Sequence, residues 1–411
     1  MGHTHTSKYN IKNIVVLLLM LFFTNFMGLK IYVVPPRFII LVLCFVLFYF
    51  LFSNSSYLNG KLFSKPLKLT LLSFFLSCIP SIVIFGQSLY AAIAGLTMYI
   101  FPVLFYFILC KWNVDEDVIF KYLIYFTMVF AIVEIGQQFT YPQYWFGGRS
   151  ESEYTGLLEQ RMGYWRFYLF GISYCLLAMM LCFEKLKNKE RPFAKNLFFI
   201  LVCAIAVYFF LSRKDIYAAV ICIFAGVIFS QNRNGFFVKL LFLTLLVIAY
   251  FFLSNSMAEL NQQTSMETGE NREDFIRFIA ADYFINDMSD SPLYYIFGSG
   301  IPGGENNLNK LIYELSEYSK IYQDDCGFIG YFSKFGLFGL FVQILIVFKI
   351  IVNRKYIGTG LLLFALLELI ICFFDFWGNN ARNLAAWSIF LYLTDKSIYK
   401  NKLNNERRIA K

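Results

Sequence analysis

Long apolar runs alternate with short polar turns along most of the chain. Several runs reach about 20 residues, the length that a helix needs to cross about 30 Å of hydrocarbon. The pattern predicts about twelve membrane-spanning helices. The predicted spans are 13–30, 37–53, 68–86, 89–110, 117–138, 165–184, 196–211, 215–230, 239–254, 327–350, 357–374 and 383–394. The sequence therefore predicts an all-α, polytopic integral membrane protein, with residues 1–411 forming a single membrane domain.

Composition agrees with the hydropathy pattern. Of the 411 residues, 58% are hydrophobic and 15% are charged, whereas about 25% of residues are charged in a soluble domain. The first apolar run has no small-residue cleavage site and is predicted to be a retained helix. The nine cysteines show neither metal spacing nor a disulfide pattern. The two histidines, His3 and His5, lie in the polar leader, so a reaction elsewhere in the chain needs a different base.

Basic residues indicate the orientation of the predicted helices. Most of the 36 Lys and Arg fall on alternate turns and on the tail 395–411, which the positive-inside rule places in the cytoplasm. Both termini are then cytoplasmic, and two substantial loops, 140–164 and 255–326, lie outside. The net charge of +9 reflects this topology, so we expect no nucleic-acid partner.

The turn Ser212-Arg213-Lys214-Asp215 places charges between two apolar runs, at the outer end of the predicted seventh span. One interpretation is an interfacial turn whose cations reach into the headgroup region. The other is an anion-binding group, because the planar guanidinium of Arg213 suits bidentate contact with phosphate. Asp215 can orient the cation or cap the next helix.

The first outer loop combines cations with aromatic rings. Arg161 and Arg166 stand beside Tyr164 and Trp165. Such rings usually form an interfacial belt. The same combination can bind a sugar diphosphate, with sugar C–H groups on the rings and phosphates on the cations.

The long outer loop contains a predicted amphipathic helix. Asn271 resembles an N-cap, and Phe275, Ile276, Ile279 and Tyr283 form an apolar stripe at helical spacing. We expect this stripe to lie against the membrane domain. The basic residues near the start of the helix are Arg272 and Arg277, which are either solvated charges or phosphate ligands.

The end of the long loop carries a glycine-rich turn and a pair of carboxylates. The stretch SPLYYIFGSGIPGGENN predicts a tight irregular turn, and its lone GxG is a weak signal for phosphate binding. Asp324 and Asp325 stand just before the predicted tenth span. They are either solvated or capping residues, or they supply the base that an outside reaction without histidine needs.

These features resemble the O-antigen polymerases of the O-antigen polymerase and ligase superfamily. The matching residues are Ser212-Arg213 at an outer helix end, Arg272 in the long loop, the stretch SPLYYIFGSG, and an acidic-Cys-Gly entry into KFGLFGL. The resemblance implies a glycosyltransferase-C-like fold in the bacterial inner membrane. It also implies that a growing glycan passes from undecaprenyl diphosphate to the next carrier-linked repeat at the periplasmic face. A chain-length regulator and a flippase are the implied partners, together with membrane lipid.

The resemblance and the residue chemistry suggest roles for the candidate residues. The leaving group of such a transfer is a diphosphate, which needs charge stabilisation more than a protonating acid, so neither metal nor cofactor is required. Arg213 and Arg272 are the preferred ligands, with Arg213 also stabilising the leaving group. The predicted diphosphate- and substrate-binding residues are Arg213, Lys214, Arg272, Arg277, Arg161 and Arg166. Asp324 or Asp325 would deprotonate the acceptor hydroxyl.

The sequence is also compatible with other functions. An O-antigen ligase shares the scaffold, but the resemblance implies a histidine in that branch where this chain has Asp324-Asp325-Cys326. A flippase or other transporter has a similar number of spans but should carry charges in mid-membrane. Most candidate charges of this chain lie at one face. The main exceptions are Glu134 and Glu368, which are predicted to lie within the membrane, and Asp375. A membrane acyltransferase would lack its usual histidine base.

Overall fold

The structure, a computed structural model, describes residues 11–29, 55–58, 60–147, 160–161, 164–188, 193–228, 276–304, 306–319 and 321–409. Most of these residues are helical. The α-helices are α1 Ile11–Phe23, α2 Ser64–Val83, α3 Leu89–Trp112, α4 Glu116–Thr140, α5 Ile172–Lys187, α6 Phe193–Phe209, α7 Arg213–Ile228, α8 Ile276–Asp282, α9 Pro292–Phe297, α10 Asn307–Tyr318, α11 Gly327–Val352, α12 Thr359–Ile371 and α13 Ala381–Ile409. The shorter elements are a helical segment Asn25–Gly28, 3-10 helices Ser55–Leu58, Gln323–Cys326 and Arg354–Tyr356, a π-helix Tyr283–Asp287, and strands β1 Gln160–Arg161 and β2 Tyr164–Trp165, which pair antiparallel.

The helical membrane class predicted from the sequence is confirmed, whereas the number of spans stays a prediction. The predicted spans 37–53 and 239–254 lie outside the described residues, and each of the other predicted spans contains a helix. Among the described residues, α2, α3, α4 and the stretch Gln323–Val352 are long and apolar enough to cross a membrane.

One predicted helix start was wrong, and one predicted span belongs to a longer helix. The predicted span 165–184 begins as strand β2, and its helix starts only at Ile172, after Gly171 adopts a φ of 116°. The predicted span 383–394 is part of a longer helix, α13, which continues through most of the predicted basic tail 395–411. Apolar runs indicate which segments can lie in a bilayer, whereas backbone hydrogen bonding determines where a helix begins and ends.

Helix α3 runs through the main core, between α2 and α13. It starts at Ser88, whose hydroxyl accepts the Ala91 N–H at 3.2 Å, and its buried residues include Leu96, Ile100 and Val103. Capping satisfies an N–H that the first turn would otherwise leave without a partner. The helix is therefore held both by its cap and by contacts along its length.

An aromatic stack holds the connection between α12 and α13. The ring centroids of Phe376 and Trp377 lie 4.0 Å apart, those of Trp377 and Trp387 4.5 Å apart, and those of Trp387 and Phe390 4.7 Å apart. The indole N–H of Trp377 donates to Gln343 Oε1 at 3.0 Å. Buried aromatic pairs contribute beyond their burial, so this stack fixes the polar residues that precede α13.

The described part of the long loop has a small apolar core of its own, packed against α11. Its members are Phe85, Ala280, Phe284, Met288, Tyr294, Leu308, Ile321, Cys326 and Phe332. Of the predicted stripe, Tyr283 packs against this core, whereas the prediction was wrong for Ile279, which is 43% exposed, with Ala280 and Phe284 buried instead. Phe275 and the side chain of Ile276 lie outside the described part of the structure. The 3.6-residue spacing applies only as far as Asp282, because the chain is π-helical over Tyr283–Asp287.

The other end of the bundle, where α3 ends and α2 begins, is held by a buried carboxylate. Asp395 accepts the Leu62 backbone N–H at 2.8 Å and the hydroxyl of Tyr106. Lys396 donates to the Val114 carbonyl oxygen at 2.6 Å. These contacts tie the start of the predicted tail to the turns beside it.

Candidate active site

Four segments meet at one end of the bundle, which we call the polar end. They are the first turn of α7, the 3-10 helix Gln323–Cys326, the connection 372–380 and the first turn of α13. Asn379 in the connection donates its side-chain N–H to the Gly327 carbonyl oxygen at 2.6 Å. Segments far apart in sequence are thereby held together where the charged residues lie.

Lys214 forms an ion pair with Asp375 at this end. Asn383 Nδ2 also donates to Asp375 Oδ2 at 3.2 Å, and Ser173 Oγ donates to Asn383 Oδ1 at 2.8 Å. Lys214 lies in the first turn of α7, ahead of its apolar stretch. Burial lowers the pKa of Lys214, but the carboxylates of Asp375 and Asp215 outweigh it. The pKa therefore lies above its ordinary value, and the ammonium is charged at neutral pH.

A buried lysine on α11 makes the second ion pair. The side chain of Lys334 is only 4% exposed and pairs with Asp324, whose side chain is 59% exposed. Lys334 also donates to the Asn379 carbonyl oxygen at 2.8 Å and to the Tyr99 hydroxyl at 3.3 Å. Tyr99 in turn donates to the same carbonyl at 2.5 Å. The ammonium thus joins the 3-10 helix to α3 and to the connection.

Asp325 and Arg277 lie beside these pairs. Asp325 is exposed, and the cations within electrostatic range of its carboxylate are Arg277 and Lys214. The guanidinium carbon of Arg277 is 5.5 Å from the ring centroid of Phe374 in the connection. The structure therefore brings Lys214, Arg277 and both predicted carboxylates to one surface.

Arg213 begins α7 and is half-buried next to Lys214. Asp215 is 4% exposed, and its Oδ2 has no hydrogen-bond partner among the described residues. Lys214 and Arg166 are within electrostatic range of this carboxylate. The turn Ser212–Asp215 therefore leads into α7, and it also places the cations Arg213 and Lys214 at the polar end.

The structure gives less information on the remaining predicted cations, which are Arg166, Arg161 and Arg272. Arg166 Nη1 donates to the Tyr168 hydroxyl at 3.1 Å, and its guanidinium carbon is 4.5 Å from the Tyr168 ring centroid. Arg161 lies in strand β1, and its side chain is outside the described part of the structure. Arg272 lies outside the described residues altogether. The structure therefore gives no contact for Arg272, one of the two preferred ligands.

The glycine-rich turn has a structural role. The N–H groups of Ser299 and Gly300 donate to the carbonyl oxygens of Ser333 and Lys334 at 2.7 and 3.0 Å. Gly298 has a φ of 80°, and a Cβ at this residue would lie 2.2 Å from the Lys334 carbonyl carbon. Glycine alone permits this approach. The GxG thus supports α11, and these two N–H groups are already occupied.

Sequence reasoning missed Arg382 and Asn379 and gave Lys334 no role. Lys334 was visible as a cation inside the predicted span 327–350, which is itself a signal of function or pairing. Arg382 lies in the first turn of α13, with its guanidinium carbon 3.0 Å from the Phe170 ring centroid. Burial lowers the pKa of Arg382 to about 10, partly offset by Asp324, so the side chain stays charged at neutral pH. No sequence spacing links these residues to the carboxylates.

A cleft of about 270 Å³ opens beside the Lys334–Asp324 pair. Helix α10, the turn residues Ile301 and Pro302, and the 3-10 helix form its walls. Within the described ranges, no group of three or more His, Cys, Asp or Glu side chains is placed to hold a metal ion. The polar end therefore combines cations that can bind an anion, carboxylates that can accept a proton, and a cleft next to both.

Part of the chain matches a known protein family. Residues 198–344 match the family model described as O-antigen ligase. The matched range contains the start of α7, the long loop, both carboxylates and Lys334. No curated protein matches the chain.

Proposed function

We propose that the chain is a polymerase of lipid-linked oligosaccharide repeats, and the match of residues 198–344 to the O-antigen ligase family model supports this proposal. The observation that supports this most directly is the meeting of Lys214, Arg277, Asp324 and Asp325 at the polar end. A glycosyl transfer from a lipid diphosphate needs cations for the leaving group and a carboxylate for the acceptor proton. Both are present on one surface.

The donor diphosphate is proposed to bind at the start of α7. An ammonium has three donors, and the pair with Asp375 leaves Lys214 able to contact a phosphate oxygen as well. Arg213 precedes it in the same turn, and Arg277 approaches from α8. Arg272 is proposed to join them on the basis of the resemblance. Cations in a partly desolvated site stabilise the developing charge more strongly than in water.

The proposed reaction breaks one bond and forms one bond. An acceptor hydroxyl oxygen attacks the anomeric carbon of the donor glycan, and the bond from that carbon to the phosphate oxygen breaks. The diphosphate leaves with the bonding electron pair, held by the cations. The hydroxyl proton passes to a carboxylate. We assign this role to Asp325, because Asp324 is engaged by Lys334 and Asp325 is exposed.

A polymerase is favoured over a ligase by the chemistry of the base. For the ligase branch of the superfamily, the resemblance implies a histidine at the entry of α11, where this chain has Asp324, Asp325 and Cys326. The chain has two histidines, His3 and His5, both in its leader. A carboxylate base is therefore a specific feature of this proposal.

Location and partners follow as further proposals. The polar end would face the periplasm, with both termini in the cytoplasm and the chain in the bacterial inner membrane. The lipid-linked repeat would be undecaprenyl diphosphate carrying an oligosaccharide. A flippase would deliver it, and a chain-length regulator would set the length of the product.

The test is the surface-polysaccharide ladder of a host in which this gene is deleted. The deletion is complemented with wild type, with Lys214→Ala, or with Lys185→Ala. Lys185 is a matched control, since it makes a 3.8 Å pair with the exposed Asp117 away from the polar end. We expect wild type and Lys185→Ala to restore long chains and Lys214→Ala to leave single repeats on the surface acceptor.

Other ladders would contradict the proposal in different ways. Long polymer retained on the lipid carrier after deletion would indicate a ligase. Repeats stranded on the cytoplasmic leaflet would indicate a flippase. Full-length chains with Lys214→Ala would leave the polymerase in place but remove the assigned diphosphate site.

A further inference from the structure

One wall of the cleft beside Lys334 is the turn that contains Ile301 and Pro302. The Gln87 side chain donates to the Ile301 carbonyl oxygen at 3.2 Å and accepts the Gly303 N–H at 3.2 Å. A Cβ on Gly303 would lie 1.9 Å from the Ala91 carbonyl oxygen, so the turn lies directly on α3. This wall is therefore held against α3 by hydrogen bonds and by close packing.

The opposite wall is helix α10, which is held to the same turn. Asn306 caps the helix by accepting the Asn309 N–H at 2.9 Å and donates to the Gly303 carbonyl oxygen at 2.6 Å. Ile312 and Ser316 of this helix line the cleft. Hydrogen bonds thus join the two walls of the cleft.

The lining chemistry selects the class of ligand. Ile312, Ile321 and Pro302 provide apolar surface, while Asp324 and Lys334 provide an ion pair with no net charge. A free anion gains little from a cation that is already neutralised, and an acyl chain would desolvate the charged pair. A neutral polyol with apolar C–H faces and a rim of hydroxyls fits both kinds of surface. At about 270 Å³ the cleft is just below the usual range for drug-sized ligands, which suits a single sugar ring.

The position of the cleft indicates which sugar of the two substrates it would bind. Asp324 lines the cleft, and its neighbour Asp325 lies within electrostatic range of Arg277 and Lys214. A sugar in the cleft would therefore be next to the proposed base, with the proposed diphosphate site beyond it. We propose that the cleft binds the terminal sugar of the acceptor glycan, with Asp324 accepting hydrogen bonds from its hydroxyls. This inference rests on the proposed polymerase function.

The experiment compares two serines of the same region. Ser316 lines the cleft, whereas Ser319 follows the end of α10 and is exposed. Full-length wild type, Ser316→Trp, Ser316→Ala and Ser319→Trp are reconstituted in vesicles with the lipid-linked repeat as donor. The acceptor is the repeat oligosaccharide released from its lipid, and transfer is measured against the concentration of each substrate. Thermal unfolding of each purified variant reports folding.

The expected result is specific to one variant and one substrate. Ser316→Trp should raise the KM for the soluble acceptor about ten-fold or more with the KM for the donor unchanged. Ser319→Trp should behave as wild type, whereas Ser316→Ala should change the acceptor KM much less than Ser316→Trp does. Since Ser316→Ala removes the same hydroxyl without filling the cleft, it separates occupancy from loss of the Ser316 hydrogen bond to the Tyr313 carbonyl oxygen.

Each other outcome overturns a distinct statement. Wild-type acceptor kinetics in a folded Ser316→Trp would remove the cleft from acceptor binding while the polymerase stands. A raised donor KM would assign the cleft to the donor glycan. If Ser316→Trp unfolds, Ser316→Phe is used, and an equal effect of Ser319→Trp would refute the local assignment. Absence of any transfer by wild type would overturn the proposed function itself.

Discussion

Replacing Asp324 with asparagine removes the counter-charge of a lysine that the fold has buried. Lys334 would keep its contacts with the Asn379 carbonyl and the Tyr99 hydroxyl, both neutral acceptors. Removing one partner of a buried pair costs about 3–5 kcal/mol, mainly because the other charge is left uncompensated. Asp324 is 59% exposed, so solvent screening reduces this figure. We expect a loss of about 2–3 kcal/mol.

Replacing the other partner of the ion pair, Lys334, should cost less stability. Lys334→Met removes the buried charge and fills similar space, while the half-exposed Asp324 becomes hydrated. The lost contacts to neutral oxygens are each worth about 1 kcal/mol. The double variant should be more stable than Asp324→Asn alone, with a coupling of about 1–3 kcal/mol between the two sites.

The order of stability of these variants is measured from apparent melting temperatures. The full-length protein is used in one detergent and at a fixed scan rate. For a chain of this size, 2–3 kcal/mol corresponds to a fall of about 3 °C. Lys349→Met on the same helix is the control, since Lys349 is half-buried and donates to the Leu62 carbonyl oxygen at 3.1 Å. If Lys334→Met is as damaging as Asp324→Asn, and the two effects simply add, the ion-pair reasoning is wrong.

Three further substitutions test the packing and the other end of the bundle. Gly298→Ala should destabilise by about 2 kcal/mol or more, since its Cβ would meet the Lys334 carbonyl at 2.2 Å and its φ is 80°; a melting temperature equal to wild type would contradict this close approach. Gly136→Ala, in a helix with open space at the Cβ position, should raise stability by about 0.5–1 kcal/mol, and a fall would show a contact that the structure lacks. Tyr106→Phe removes a hydroxyl that donates to buried Asp395 and should cost about 1–3 kcal/mol, whereas an unchanged melting temperature would indicate that water replaces the hydroxyl.

The sequence by itself determined the class of the protein and the approximate position of its helices. Apolar runs of about 20 residues exclude a soluble fold, because that much exposed apolar surface needs a bilayer. It also placed Lys214, Arg277, Asp324 and Asp325 among the candidates, because charges beside apolar runs are costly and therefore informative. Helix starts were less accurate, as Ile172 shows, since hydropathy does not report hydrogen bonding.

Only the tertiary structure decided which candidates act together. Lys214 meets Asp375, and Lys334 meets Asp324 and Asn379, through contacts between helices. Sequence spacing determines neighbours within a helix or a strand, whereas neighbours across helices depend on crossing geometry and on side-chain packing. The glycine at 298 illustrates the same limit: its turn could be predicted, but its closeness to α11 follows from packing that no local pattern encodes.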